Sequence, residues 1–129
     1  MRRTRLWGML AAVACLAAAA LPATGSTAAP AERATNPKIV KVGDDYFTPA
    51  FTAVVPNRLV KWVWLLDNTN THNVRLKTAP AGVDKSKFRS ANGSIGIRFA
   101  RRLPKVGLYE FVCTFHSTVM RHKIRVRRA

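Results

Sequence analysis

Cysteine and acidic residues are scarce in this sequence, which has two Cys and six Asp or Glu among 129 residues. Cys15 lies in an apolar N-terminal run, which leaves Cys113 as the one cysteine beyond that run. A single cysteine excludes an intrachain disulfide framework. No recognisable motif places an acid beside Cys113 or a histidine, so we do not predict hydrolytic zinc chemistry, which needs a nearby carboxylate base. The acids are Glu32, Asp44, Asp45, Asp67, Asp84 and Glu110.

The N-terminus has the layout of a secretory signal peptide, which we assign to residues 1–28. Arg2, Arg3 and Arg5 precede an uncharged Ala/Leu/Val run over residues 6–21, and small residues follow. The run is short for a membrane span. The pattern predicts removal of the leader and export to the periplasm, cell surface or extracellular space, with no transmembrane segment in the mature chain. A retained anchor and lipid attachment at Cys15 are the alternatives, and the export route stays open.

Beyond the leader, roughly 100 residues remain, which is enough for one domain with one core. Residues 29–37 are rich in Ala, Pro and Thr, which predicts a flexible linker. We assign residues 38–129 to a single folded domain.

Helical spacing is also missing from the domain, whose apolar residues recur in short segments with a period of two. Such segments, separated by turn residues, predict an all-β sandwich. The expected strands lie near residues 39–42, 51–55, 59–66, 72–77, 95–99, 109–113 and 124–126.

Parity along two of these strands brings four side chains together. His72 shares the parity of the apolar positions 74 and 76, and Cys113 that of positions 109 and 111. Both side chains should therefore face the core, where they can meet at one end of the sandwich. His116 and Met120 follow Cys113 in the pattern Cys-x2-His-x3-Met, so the loop that carries them can fold over the same end.

A thiolate, two imidazoles and a thioether form a donor set that suits copper. Structural zinc prefers four strong donors, and a thioether is a weak one. Taken singly, Cys113, His72 and Met120 could each be ordinary packing residues. Their combination in an exported β protein with no partner for the cysteine favours a metal site.

The sequence resembles the small cupredoxins of the plastocyanin/azurin superfamily over roughly residues 38 to 127. Two pieces carry the resemblance most specifically, namely Thr71-His72-Asn73-Val74 and Tyr109-Glu110-Phe111-Val112-Cys113-Thr114-Phe115-His116 followed by Met120.

The resemblance implies a Greek-key sandwich of about eight strands that holds one type 1 copper per chain. His72, Cys113 and His116 would be the equatorial ligands and Met120 the axial ligand. It also implies that Asn73 ties its strand to Thr114, the residue after the cysteine. His122 matches no familiar ligand position in the family, so we expect it to pack or to lie at a solvent-facing tip.

A type 1 site implies a carrier of single electrons rather than an enzyme. Multicopper oxidases and nitrite reductases contain this domain, but their further copper centres need more histidines than the three of this chain. Two alternatives stay open: a protein that binds or delivers copper without electron transfer, and a copper-free module that binds anionic surfaces.

Basic residues predominate, with 22 Lys or Arg and a formal net charge of +16. Without the leader arginines, 19 basic against six acidic residues give +13. Such a charge predicts an acidic redox partner or an anionic envelope surface. Export argues against a specific nucleic-acid role, and we expect a monomer. The densest basic runs are Arg98, Arg101, Arg102 and Lys105, and Arg121, Lys123, Arg125, Arg127 and Arg128.

Overall fold

The computed structural model describes residues 36–129. The predicted leader, residues 1–28, and most of the predicted linker, residues 29–37, lie outside this part of the chain. The described part is almost entirely β structure, with eight strands and one short 3₁₀ helix, which confirms the predicted fold class. The elements are β1 (Lys38–Gly43), β2 (Tyr46–Thr48), β3 (Phe51–Val54), β4 (Leu59–Trp64), β5 (Arg75–Thr78), the 3₁₀ helix (Lys85–Lys87), β6 (Arg98–Arg102), β7 (Gly107–Val112) and β8 (Arg121–Val126).

The strands form two four-stranded sheets, in the orders β2-β1-β4-β6 and β3-β8-β7-β5. Strand β1 runs parallel to β4, and β3 runs parallel to β8. Every other pairing is antiparallel. Both parallel pairs join strands that are not consecutive in the sequence, so the chain crosses between the two sheets rather than folding as simple hairpins.

Alternation along the strands builds the core between the sheets. In β8 every second residue is buried, and β4 buries Trp62 and Trp64 in the same way. The Trp62 ring lies 4.7 Å from the Phe111 ring and 5.5 Å from the Phe99 ring, measured between centroids. Because these aromatic residues come from both sheets, their contacts fix how one sheet lies on the other.

Two of the predicted strands begin later than expected. β5 begins at Arg75 rather than at His72, which makes only an isolated bridge to Gly93. The amide of the intervening Val74 donates to the hydroxyl of Ser90, at 2.8 Å, instead of to a strand neighbour. β6 begins at Arg98, and Ile95, expected to face the core, is 52% exposed.

In the part of the chain from residue 36 onward, no helix has the length and apolar character that crossing a membrane requires.

Candidate metal centre

Three of the predicted ligands meet at one end of the sandwich. Cys113 directly follows β7, His116 lies in the turn between β7 and β8, and His72 precedes β5. The sulfur of Cys113 is 3.9 Å from Nδ1 of His72 and 3.8 Å from Nδ1 of His116. The three donor atoms all lie within 4.8 Å of one another, so they can face one metal ion.

The turn from Cys113 to Met120 is held by its own backbone. The amide of Met120 donates to the carbonyl of His116 at 2.8 Å, and the amide of Cys113 donates to the carbonyl of Met120 at 3.2 Å. These bonds fix the backbone of three of the four predicted ligands in one short segment. Met120 is fully buried at the base of the turn, immediately before β8.

Burial differs among the three clustered residues. His72 and Cys113 are fully buried, whereas the side chain of His116 is 28% exposed. His116 is therefore the member of the cluster through which the site reaches solvent.

Asn73 joins the two chain segments of the site, as the family resemblance implies. Its Oδ1 accepts from the amide of Thr114 at 2.9 Å, and its Nδ2 donates to Oγ1 of Thr114 at 2.8 Å. The amide of Asn73 also donates to the sulfur of Cys113 at 3.5 Å. The predicted tie between Asn73 and Thr114 is confirmed, and the same residue supplies a donor to the sulfur.

Two carboxylates lie beside the imidazoles, so the expectation that no acid would do so is wrong. The Nε2–H of His72 donates to Oδ1 of Asp44 at 2.8 Å, and Nε2 of His116 lies 3.3 Å from Oδ1 of Asp45. Both acids occupy the turn between β1 and β2, far along the chain from either histidine. Consecutive acids in a predicted turn were the one available signal, and nothing in the sequence links that turn to this end of the sandwich.

Asp44 is the more firmly held of the two acids. Its carboxylate also accepts from the amide and hydroxyl of Thr69, at 2.8 and 2.7 Å, and from the amide of Asn70, at 3.0 Å. The hydrogen bond from His72, followed by those from Thr69 and Asn70, holds the pKa of Asp44 well below its usual range.

His122 lies apart from the cluster, in the core, as the packing interpretation expected. It is fully buried, with ring centroids 6.0 Å from Trp62 and 6.2 Å from Phe47. Its Nε2 lies 3.1 Å from the hydroxyl of Thr52, and its Nδ1 has no hydrogen-bond partner. Burial, together with the charge of Lys38, lowers the pKa of His122 to about 4, so the ring is neutral near pH 7.

The clustered donors fit a copper ion in both spacing and chemistry. Bonds of about 2.0–2.1 Å to nitrogen and 2.3 Å to sulfur, at tetrahedral to trigonal angles, would separate nitrogen from sulfur by about 3.6–3.8 Å. The observed separations are 3.8 and 3.9 Å. Two imidazoles and a thiolate are donors that copper binds well, and the cluster contains no carboxylate oxygen of the kind that hard cations prefer.

Comparisons with solved structures give the same architecture. The purple cupredoxin from Nitrosopumilus maritimus is 18% identical, with a TM-score of 0.58, over 70% of this chain and 99% of that chain. Amicyanin from Paracoccus versutus is 23% identical, with a TM-score of 0.57, over 72% and 83% of the two chains. The copper-containing nitrite reductase from Thermus scotoductus is 23% identical, with a TM-score of 0.59, but the match covers 73% of this chain and only 23% of the reductase.

Sequence comparison identifies the family. No curated protein matches the chain significantly. The family described as copper binding proteins, plastocyanin/azurin family, matches residues 38–127, which span all eight strands and the His-Cys-His cluster. The chain therefore belongs to the plastocyanin/azurin family of copper-binding proteins.

Proposed function

We propose that this protein is an exported type 1 copper protein that carries single electrons between redox partners. His72, Cys113 and His116 are the equatorial ligands in this proposal, and Met120 is the axial ligand. The observation that carries it is the convergence of one sulfur and two Nδ1 atoms within 4.8 Å at the mostly buried end of a β-sandwich.

The surrounding residues favour electron transfer because they hold the donors in place before any ion binds. Asn73 ties the two ligand segments together, and the backbone of the 113–120 turn fixes the positions of Cys113 and His116. Bound copper would supply the one-electron chemistry, cycling between Cu(I) and Cu(II). A rigid donor set limits the rearrangement that accompanies this change, and the partly exposed His116 offers the route for the electron to the surface.

A carrier role is also favoured over catalysis by the number of histidines. The chain contains three, and His122 lies in the core apart from the cluster. Further copper centres of the kind used by multicopper enzymes would need additional imidazoles. The match to the nitrite reductase covers less than a quarter of that chain, so it extends to the fold and not to that enzyme's activity.

Export and the choice of partner complete the proposal. The signal-peptide layout of residues 1–28 supports delivery to the periplasm, cell surface or extracellular space. Basic residues alternate outward along β8, and β6 places more of them on the other sheet. An acidic redox protein or an anionic envelope surface would be attracted to such faces over about 10 Å at 0.1 M salt.

The test is the visible and EPR spectrum of the full-length protein with one equivalent of Cu(II). We expect an intense blue colour and a narrow copper hyperfine splitting, because both arise from a short copper–thiolate bond. Cys113→Ser should abolish the colour, whereas the matched change Cys15→Ser should leave it intact. A colourless or ordinary tetragonal spectrum, or colour that survives Cys113→Ser, would contradict the proposal.

A further inference from the structure

We propose that Asp44 and Asp45 act as paired positioning residues, each orienting one of the two imidazole ligands. This inference rests on the proposed copper function and extends it to residues outside the ligand set. The structure assigns Asp44 to His72 and Asp45 to His116, so one two-residue turn serves both histidines.

The hydrogen-bond direction at Asp44 determines which nitrogen of His72 is free. A carboxylate only accepts, so the hydrogen of the neutral imidazole lies on Nε2. The lone pair then lies on Nδ1, which is the nitrogen 3.9 Å from the Cys113 sulfur. A carboxylate at Nε2 therefore selects the tautomer that a metal ion at the cluster requires, and it also makes the imidazole a stronger donor.

The same logic holds for His116, with a weaker contact. Its Nε2 lies 3.3 Å from Asp45, whose side chain is 52% exposed, and its Nδ1 lies 3.8 Å from the Cys113 sulfur. Asp45 has a φ of 66°, in the left-handed region that Asp tolerates better than most residues. This backbone conformation lets consecutive residues of one turn each reach a different histidine.

The placement of these acids stands out against the charge of the whole protein. Two of the six acidic residues are used here, in a chain with 22 Lys or Arg. Asp44 is fixed by three further hydrogen bonds, from Thr69 and Asn70, so it is held rigidly against His72. Negative charge and stronger imidazole donors both favour Cu(II) over Cu(I), so the pair should lower the reduction potential.

The first test needs no copper. Nitrogen-15 NMR of the imidazoles in the full-length, metal-free protein should show His72 and His116 as Nε2–H tautomers at neutral pH. Asp44→Ala should give His72 a mixed tautomer population, and Asp45→Ala should do the same for His116. Asp67→Ala is the matched control, since the Asp67 side chain is exposed and makes no hydrogen bond within residues 36–129. Unchanged tautomers in both test variants would overturn the inference.

The second test uses the copper-loaded protein. Asp44→Asn should weaken Cu(II) binding by about 10–100-fold, the usual effect of removing such a partner. If Cu(I) affinity is unchanged, each factor of ten raises the potential by about 59 mV. Asp45→Asn should shift the potential in the same direction by less, because its contact is longer and more exposed. Asp67→Asn removes the same charge without the contact, so equal shifts in all three variants would overturn the inference.

The two tests separate the failure of this inference from the failure of the proposed function. A wild-type protein that binds no blue copper refutes the carrier proposal, while the tautomers of the metal-free protein still decide the role of the carboxylates. Blue wild-type protein with unaffected tautomers and potentials refutes the inference alone. Should Asp44→Ala fail to fold, Asp45→Ala still provides the tautomer test, because the exposed Asp45 makes no other side-chain hydrogen bond among the described residues.

Discussion

His122 illustrates at the residue scale how burial changes an ionisable side chain. An imidazole in water has a pKa of about 6.5, but the charged form loses its hydration when the ring is enclosed by apolar side chains. Aromatic rings from both sheets surround His122, and its Nδ1 finds no partner. Protonating this ring in the folded protein is therefore unfavourable.

We expect this burial to make stability depend on pH. The pKa of His122 is about 4 in the fold and 6.5 as an ordinary value, so between these limits the unfolded chain binds more protons. The free energy of unfolding should be at its full value above pH 6.5 and fall by about 3 kcal/mol as the pH approaches 4. Urea denaturation of the metal-free protein at pH 7.5, 5.5 and 4 measures this change.

Comparison with His122→Leu isolates the contribution of His122, because other groups also titrate in acid. The variant should lose most of the slope between pH 6.5 and 4. An identical slope in the two proteins would show that His122 does not titrate in this way.

Met120 provides a second prediction at the residue scale. Met120→Leu should keep the blue colour and raise the reduction potential, because a weak axial donor that favours Cu(II) is lost. The buried site should accommodate leucine, which has a similar volume, at a cost below about 1.5 kcal/mol. Voltammetry of the variant, with His122→Leu for comparison, tests the axial assignment, which a larger shift in His122→Leu would exclude.

At the scale of elements, the site depends on how the segment before β5 is joined to the turn that follows β7. β7 and β8 pair up to Val112 and Arg121, so residues 113–120 project beyond the last ladder contact. The segment before β5 has only an isolated bridge at His72. Asn73 supplies the side-chain link between the two segments, through its bonds to Thr114.

Removing this link should destabilise the protein. Asn73→Ala leaves the Thr114 amide without its partner, and such a loss costs about 1–3 kcal/mol. Urea denaturation of the metal-free protein measures the cost. The matched control is Asn70→Ala, whose exposed side chain makes no hydrogen bond in the described part of the chain, so its effect should stay within about 0.5 kcal/mol. Equal effects of the two changes would contradict a linking role for Asn73.

At the scale of the whole molecule, the positive charge is largely unpaired. Arg121 and Glu110, 2.9 Å apart, form the one ion pair between an arginine or lysine and a carboxylate within residues 36–129. Other cations lie over apolar surface or bond to carbonyl groups, as Arg101 does with the Phe99 ring and the carbonyl of Lys87. The molecule therefore presents a net positive field to any partner.

This field predicts opposite salt effects for redox reagents of opposite charge. Electron exchange with anionic hexacyanoferrate should slow by about tenfold or more between 0.01 and 1 M salt, as the Debye length falls from about 30 to 3 Å. Exchange with a cationic cobalt complex should become faster over the same range. Stopped-flow measurement of the copper-loaded protein provides both rates. Rates that are independent of salt, or that change in the same direction with both reagents, would contradict steering by net charge.

The sequence by itself determined the fold class and most of the candidate site. A period of two forces alternate side chains to opposite faces, so the core positions of β4, β7 and β8 follow from the order of residues alone. The same parity placed His72 and Cys113 inside, and short spacing kept His116 next to Cys113. The link between Asn73 and Thr114 was predictable only through resemblance to the family.

Only the tertiary structure decided which residues surround that cluster. Asp44 and Asp45 reach the imidazoles because β1 pairs with β4 in one particular register, which carries the β1–β2 turn to the ligand end. The start of β5 and the exposure of Ile95 likewise depend on side-chain hydrogen bonds and on where one strand leaves its ladder. Local periodicity records which face a residue takes, whereas contacts between distant segments depend on how the two sheets lie on each other.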